Sequence, residues 1–162
     1  MKKIFDLLDV YLPKNNILRF TAIFIFITLV SIGTSYFLDA IFTGSVVEIR
    51  NINEEKNIFV LFLGLIVFAP FFETLIFHWI PVFLYSYYKI NSKYDLLFIF
   101  VCSIIFGILH GVNIVNILSA VIVGFLYLLF TMYYEYKGKN YFFVIAFLHL
   151  FNNLLAFLYY IL

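Results

Sequence analysis

Charged residues cut this chain of 162 residues into five apolar runs, at about 17–42, 57–88, 94–110, 112–134 and 141–162. A helix rising 1.5 Å per residue needs roughly 20 apolar residues to cross a bilayer core. The runs therefore predict an all-α fold, a polytopic transmembrane helical bundle with about five to six membrane helices. The second run sets the count, because it is too long for one straight span and short for two. Pro70 and Pro81 lie within it and are natural places for a kink. We read it as one long, kinked helix with Glu73 near its middle, which gives five crossings. A division of the run would give six.

Composition supports this class, since 65% of the residues are hydrophobic and 23 are Phe, far more than a domain with a wettable surface carries. The formal net charge of +1 gives no reason to expect nucleic acid as a partner. With one crossing at 57–88, Lys2, Lys3, Lys14, Arg19, Lys89, Lys93, Lys137 and Lys139 fall on one side, and only Arg50 and Lys56 on the other. Basic loops face the cytoplasm, so the expectation is a multi-pass cell-membrane protein with a cytoplasmic amino terminus. Richness in Phe, Ile, Asn, Lys and Tyr is what an AT-rich, bacterial genome would favour. The single Cys102 sits mid-run and cannot form an intramolecular disulfide.

Residues 1–162 are expected to form a single membrane domain, because the longest polar segment, about Thr43 to Lys56, is too short for a core of its own. Residues 1–16 read as an interfacial helix, with Ile4, Leu7, Leu8, Tyr11 and Leu12 at helical spacing among Lys2, Lys3, Asp6 and Asp9. A frayed polar tail is the alternative. Chemistry-bearing residues all fall within 57–162.

All three histidines, His78, His110 and His149, lie inside apolar runs, as does Glu73. Ionisable groups at membrane depth cost a few kcal/mol each and mark sites by default. Helical rise places Glu73 about 22 Å in from Tyr88, His110 about 22 Å in from Asp95 and His149 about 12 Å in from Tyr141. Tilt or a turn at Gly111-Val112-Asn113 would bring them level. His149 and Asn153 are four residues apart and project from one helix face. Gly107 and Gly111 flank His110 as a small-x-x-x-small pair that admits a neighbouring backbone. Glu73 as a protonated structural residue satisfied by a backbone carbonyl is the plain alternative. For His78 the plain alternative is packing, or a hydrogen bond to Thr74. Asn113 and Asn116 would satisfy a tight turn, and Asn152 would support the bundle.

Ala69-Pro70-Phe71-Phe72-Glu73, Phe106-Gly107-Ile108-Leu109-His110 and His149-Leu150-Phe151-Asn152-Asn153 resemble, in order, the three motifs of the CPBP family, also called the Abi or type II CAAX-protease-like intramembrane proteases. Those motifs are EExxxR, FxxxH and HxxxN or HxxxD, each on a membrane helix, and the resemblance covers residues 57 to 162. Thr74 stands where the family has its second Glu and His78 where it has Arg, so both members of an i, i+4 ion pair are replaced together.

The resemblance implies an intramembrane endopeptidase. Glu73, helped by His110, would activate a water against a scissile amide, and His149 and Asn153 would donate to the oxyanion, with Thr74, His78 and Phe106 in support. It implies a hydrophobic or lipidated peptide, or a membrane-tethered protein, as substrate. No cofactor is expected. The alternative is zinc, for which Glu73, His110 and His149 supply a two-His, one-carboxylate set, although no second carboxylate then remains as base. Two other functions compete: a non-catalytic bacteriocin self-immunity or chaperone-like membrane protein, and acyl transfer on a lipidated protein.

Overall fold

Pro13 and the Asn15 side chain punctuate the amino-terminal quarter. Helix α1 spans Lys2–Tyr11 and helix α2 spans Asn16–Phe42. Asn15 caps α2, its Oδ1 accepting the main-chain N–H of Ile17 at 2.8 Å. The structure, a computed structural model, describes residues 1–42, 58–111 and 113–161. Arg50, Lys56 and the polar segment around them lie outside the described residues, as does Val112.

Helix α1 docks on the bundle through Phe5, a residue outside the apolar spacing read from the sequence. Phe5 is buried against Tyr133 and Tyr136, with Met1, Leu8 and Leu12 packed on the same core, whereas Leu7, Val10 and Tyr11 are exposed. Phe5 fills a slot between aromatic rings that an isolated helix pattern cannot reveal.

Helix α3 runs continuously over residues 58–87, with Glu73 just past its midpoint. It contains two widened, π-helical turns, Leu63–Phe68 and Thr74–Trp79, set eleven residues apart. Each ends two residues before a proline, Pro70 or Pro81. A proline has no N–H to donate and its ring crowds the carbonyl four residues back, and a π-helical turn loosens the ladder there. Both prolines thus follow irregular turns of one continuous helix. The helix closes at a left-handed Lys89, φ 49°, where the Ile90 N–H returns to the Tyr85 carbonyl.

A short turn at Ser92–Tyr94 leads into α4, Asp95–His110, and Tyr85 donates its hydroxyl to Asp95 at 2.7 Å across the connection. Gly111 is extended and Asn113 caps helix α5, Ile114–Tyr136, by accepting the Asn116 N–H at 2.9 Å. Asn113 thus serves the tight turn with its side chain, and Asn116 with its main-chain N–H alone. Helix α6, Phe142–Ile161, follows a turn at Gly138, φ 61°.

Among the described residues there are six helices and no strand. Four of them, α2 to α5, are long and apolar enough to cross a membrane, and α6 is a further apolar helix. Together they form an all-α bundle. Helices α3 and α6 run antiparallel, with Phe71 against Phe142 near one end and Phe62 against Phe157 near the other.

Candidate active site

Two glycines bring α4 and α5 close. A Cβ on Gly107 would stand 2.8 Å from the Ile117 carbonyl oxygen, and one on Gly124 would stand 2.6 Å from the Phe106 ring. The small-residue stripe therefore sets the depth and rotation of α4, and with it the direction of Phe106 and His110. Phe106 is buried, and the His110 ring lies over it with centroids 3.9 Å apart.

Irregularity in α3 is matched by α6. In the first π-helical turn the Ala69 N–H bonds the Gly64 carbonyl, one residue further back than in an α-helix. The next residue, Pro70, has no N–H, so the Leu65 carbonyl loses both of its usual donors. The Asn153 side-chain amide donates to it at 3.0 Å. One turn earlier on α6, His149 points at Glu73.

Glu73 Oε2 lies 3.1 Å from His110 Nε2 and 3.1 Å from His149 Nε2. Three helices that are remote in sequence thus converge on one carboxylate oxygen. His110 Nδ1 is 2.7 Å from the Phe106 carbonyl, which can only accept, so Nδ1 carries a hydrogen. His110 Nε2 then bears either a lone pair or a second proton, and its contact with Glu73 holds one shared proton. His149 is nearly buried, whereas Glu73 and His110 are each about a quarter exposed, at 23% and 27% of their side-chain surface. The carboxylate edge is therefore reachable from outside the bundle.

Tyr127 was not singled out in the sequence, yet it is fully buried and its ring lies 4.9 Å from that of His149. Its hydroxyl accepts from the Asn152 amide at 2.8 Å, and the Asn152 carbonyl oxygen accepts from Thr28 at 3.0 Å. Asn152 supports the bundle in this way, tying α2, α5 and α6 together behind the site. The available signal was a tyrosine in the middle of an apolar run, away from either interface.

Thr74 and His78 are buried on α3 directly behind Glu73. A hydrogen bond between them is not formed, because neither Thr74 Oγ1 nor either ring nitrogen of His78 has a partner. His78 packs instead among the rings of Phe106, Tyr127 and His149.

Glu73, His110 and His149 are the residues that could hold a metal, but among the described residues no three His, Cys, Asp or Glu side chains are arranged to hold one. Beside Glu73, Phe68, Phe71 and Phe72 of α3 face Phe143, Phe147 and Leu150 of α6 across an open, wholly apolar groove of about 410 Å³.

Fold and site define a multi-pass membrane protein with a Glu-His-His cluster at the meeting point of three helices. The sequence of residues 55–155 matches the model of one family, described as type II CAAX prenyl endopeptidase Rce1-like. The chain belongs to that family. No curated protein and no solved structure matches it.

Proposed function

We propose that this chain is a glutamate-dependent intramembrane endopeptidase acting on a hydrophobic, membrane-tethered or lipidated peptide. The observation that carries the reading is the placement of Glu73 Oε2 at 3.1 Å from both His110 and His149. Once the proton shared by Glu73 and His110 has left, the carboxylate and the lone pair on His110 Nε2 would be two acceptors on adjacent helices, and a water entering between them would donate one proton to each. The water oxygen would bond to the scissile carbonyl carbon while Glu73 takes one proton. The carbonyl π electrons move to oxygen, where His149 Nε2–H and the second Asn153 N–H donate. Collapse breaks the C–N bond as Glu73 returns the proton to the leaving nitrogen. A positioned base of this kind contributes about 10²- to 10⁴-fold, and one oxyanion donor about 3 to 4 kcal/mol in a water-poor site. The apolar groove beside Glu73 would hold the hydrophobic part of the substrate, and the amino terminus would face the cytoplasm.

Glu73→Gln tests this reading in a host lacking the chain, complemented with the wild type or the variant at equal membrane levels. The expected result is at least a hundredfold loss of processing, with an unprocessed precursor accumulating as in the empty strain. A variant that processes like the wild type overturns it and favours the immunity or chaperone-like alternative. An added acyl chain in place of a shortened peptide would point to acyl transfer. The reading uses no cofactor; activity lost to a chelator and restored by zinc would replace it with the metal alternative.

A further inference from the structure

Behind Glu73 three side chains bury polar atoms that meet no protein partner. They are Thr74 through Oγ1, His78 through both ring nitrogens and His149 through Nδ1. None is accessible to more than 5%, and His78 is at 0%. A neutral imidazole has one N–H to give and one lone pair to fill. Leaving such groups unmet in an apolar interior is costly, and proteins meet them with buried water that has two to four polar partners.

The tautomer of His149 is set from its other side. Its Nε2 faces the Glu73 carboxylate, which accepts, so Nε2 carries the hydrogen and Nδ1 a lone pair that meets no protein donor. The two rings have centroids 6.3 Å apart at 62° and do not bond directly. One water bonded at about 2.9 Å to a nitrogen of each ring would join them. Phe106 and Tyr127 pack on His78, with centroids 5.3 Å and 5.5 Å from that of its ring.

We propose that Thr74, His78 and His149 enclose a buried water that accepts an N–H of His78 and donates to His149 Nδ1 and Thr74 Oγ1. His78 is then a positioning residue. Through the water it keeps the His149 lone pair on Nδ1 and the hydrogen on Nε2, aimed at the carboxylate. The opposite tautomer would turn a lone pair on the Glu73 oxygen and offer nothing to an oxyanion. The water site stands on the buried atoms alone, whereas its catalytic meaning rests on the peptidase reading.

The chain has only three histidines, so nitrogen NMR of the full chain in nanodiscs, labelled with ¹⁵N-histidine, resolves the question without a substrate. In the wild type, His149 is expected in the Nε2–H form, and both His78 and His149 should show transfer to a slowly exchanging water. His78→Phe, which keeps the ring volume, should abolish the transfer at His149 and shift its tautomer ratio about three- to tenfold, the scale of one net hydrogen bond. His78→Gln restores a donor and should recover most of the shift. Absence of water transfer at His78 and His149 in the wild type overturns the proposal, whatever the folding of the variants. An unchanged His149 tautomer in folded His78→Phe overturns the positioning role. An intact water signature in a chain whose Glu73→Gln variant still processes would sink the peptidase reading and leave the water site standing.

Discussion

At Leu65 the main chain leaves a carbonyl that no helical N–H can reach, and Asn153 supplies the missing donor. Its four-residue spacing from His149 correctly places the two on one face, yet they serve different partners, Glu73 and Leu65. The spacing was legible; the division of labour was not, because it depends on a π-helical turn that Pro70 only hints at. Asn153→Leu should lower the unfolding midpoint in detergent, with a loss of about 1–3 kcal/mol for the stranded carbonyl. Processing and stability should then fall together. A variant with unchanged stability and reduced kcat would assign Asn153 to the oxyanion alone.

Helices as units were largely readable, since apolar runs bounded by charges are long-range signals that need no partner to interpret. Contacts between them were less so. The glycines flanking His110 suggested close approach, but only the packed pair shows Gly107 against the Ile117 carbonyl and Gly124 beneath Phe106. Helix α1 illustrates the other limit, because Phe5, which the apolar spacing leaves out, is its buried residue, a choice made by rings 128 residues or more away. Gly107→Ala would press a methyl group onto main chain and side chain of α5, and overpacking of this kind costs about 1–3 kcal/mol. Gly33→Ala meets nothing within 4 Å and should be neutral or slightly stabilising. Thermal unfolding of the two variants side by side checks the contrast, and Gly107→Ala should also lower processing by displacing His110.

Across the whole molecule, the end of the bundle that gathers α1, the start of α2 and the end of α5 is closed by polar contacts. Asp9 pairs with Lys137 and accepts from the Tyr133 hydroxyl, which in turn accepts from Arg19 at 3.1 Å. The hydrogen bonds from Lys137 and Tyr133 hold the Asp9 carboxyl below the ordinary carboxylate range. A group with a lowered folded-state value contributes its stabilisation above the ordinary value, and that contribution fades as pH falls through the lowered one. Hydrogen exchange in α1 should therefore accelerate as pH drops below about 4, after correction for the intrinsic rate. Asp9→Asn should already be fast at neutral pH and lose this dependence. Equal, pH-independent protection in both proteins would mean that Phe5 alone docks the helix.

Helix α3 has one more consequence for the chain as a written message. Each π-helical turn holds about one residue beyond what a regular helix would use over the same height. Deleting one residue from Leu63–Phe68 or Thr74–Trp79 would therefore leave a regular helix over the same height, with its two halves close to their present phase. Deleting one residue from the regular stretch just before Glu73 would instead rotate one half of the helix against the other by about 100°, turning the Leu65 carbonyl away from Asn153 while Glu73 kept its place. The surplus residues are spare letters that the helix absorbs where they stand, whereas a deletion between them would be grammatical as a membrane span and unreadable as a site.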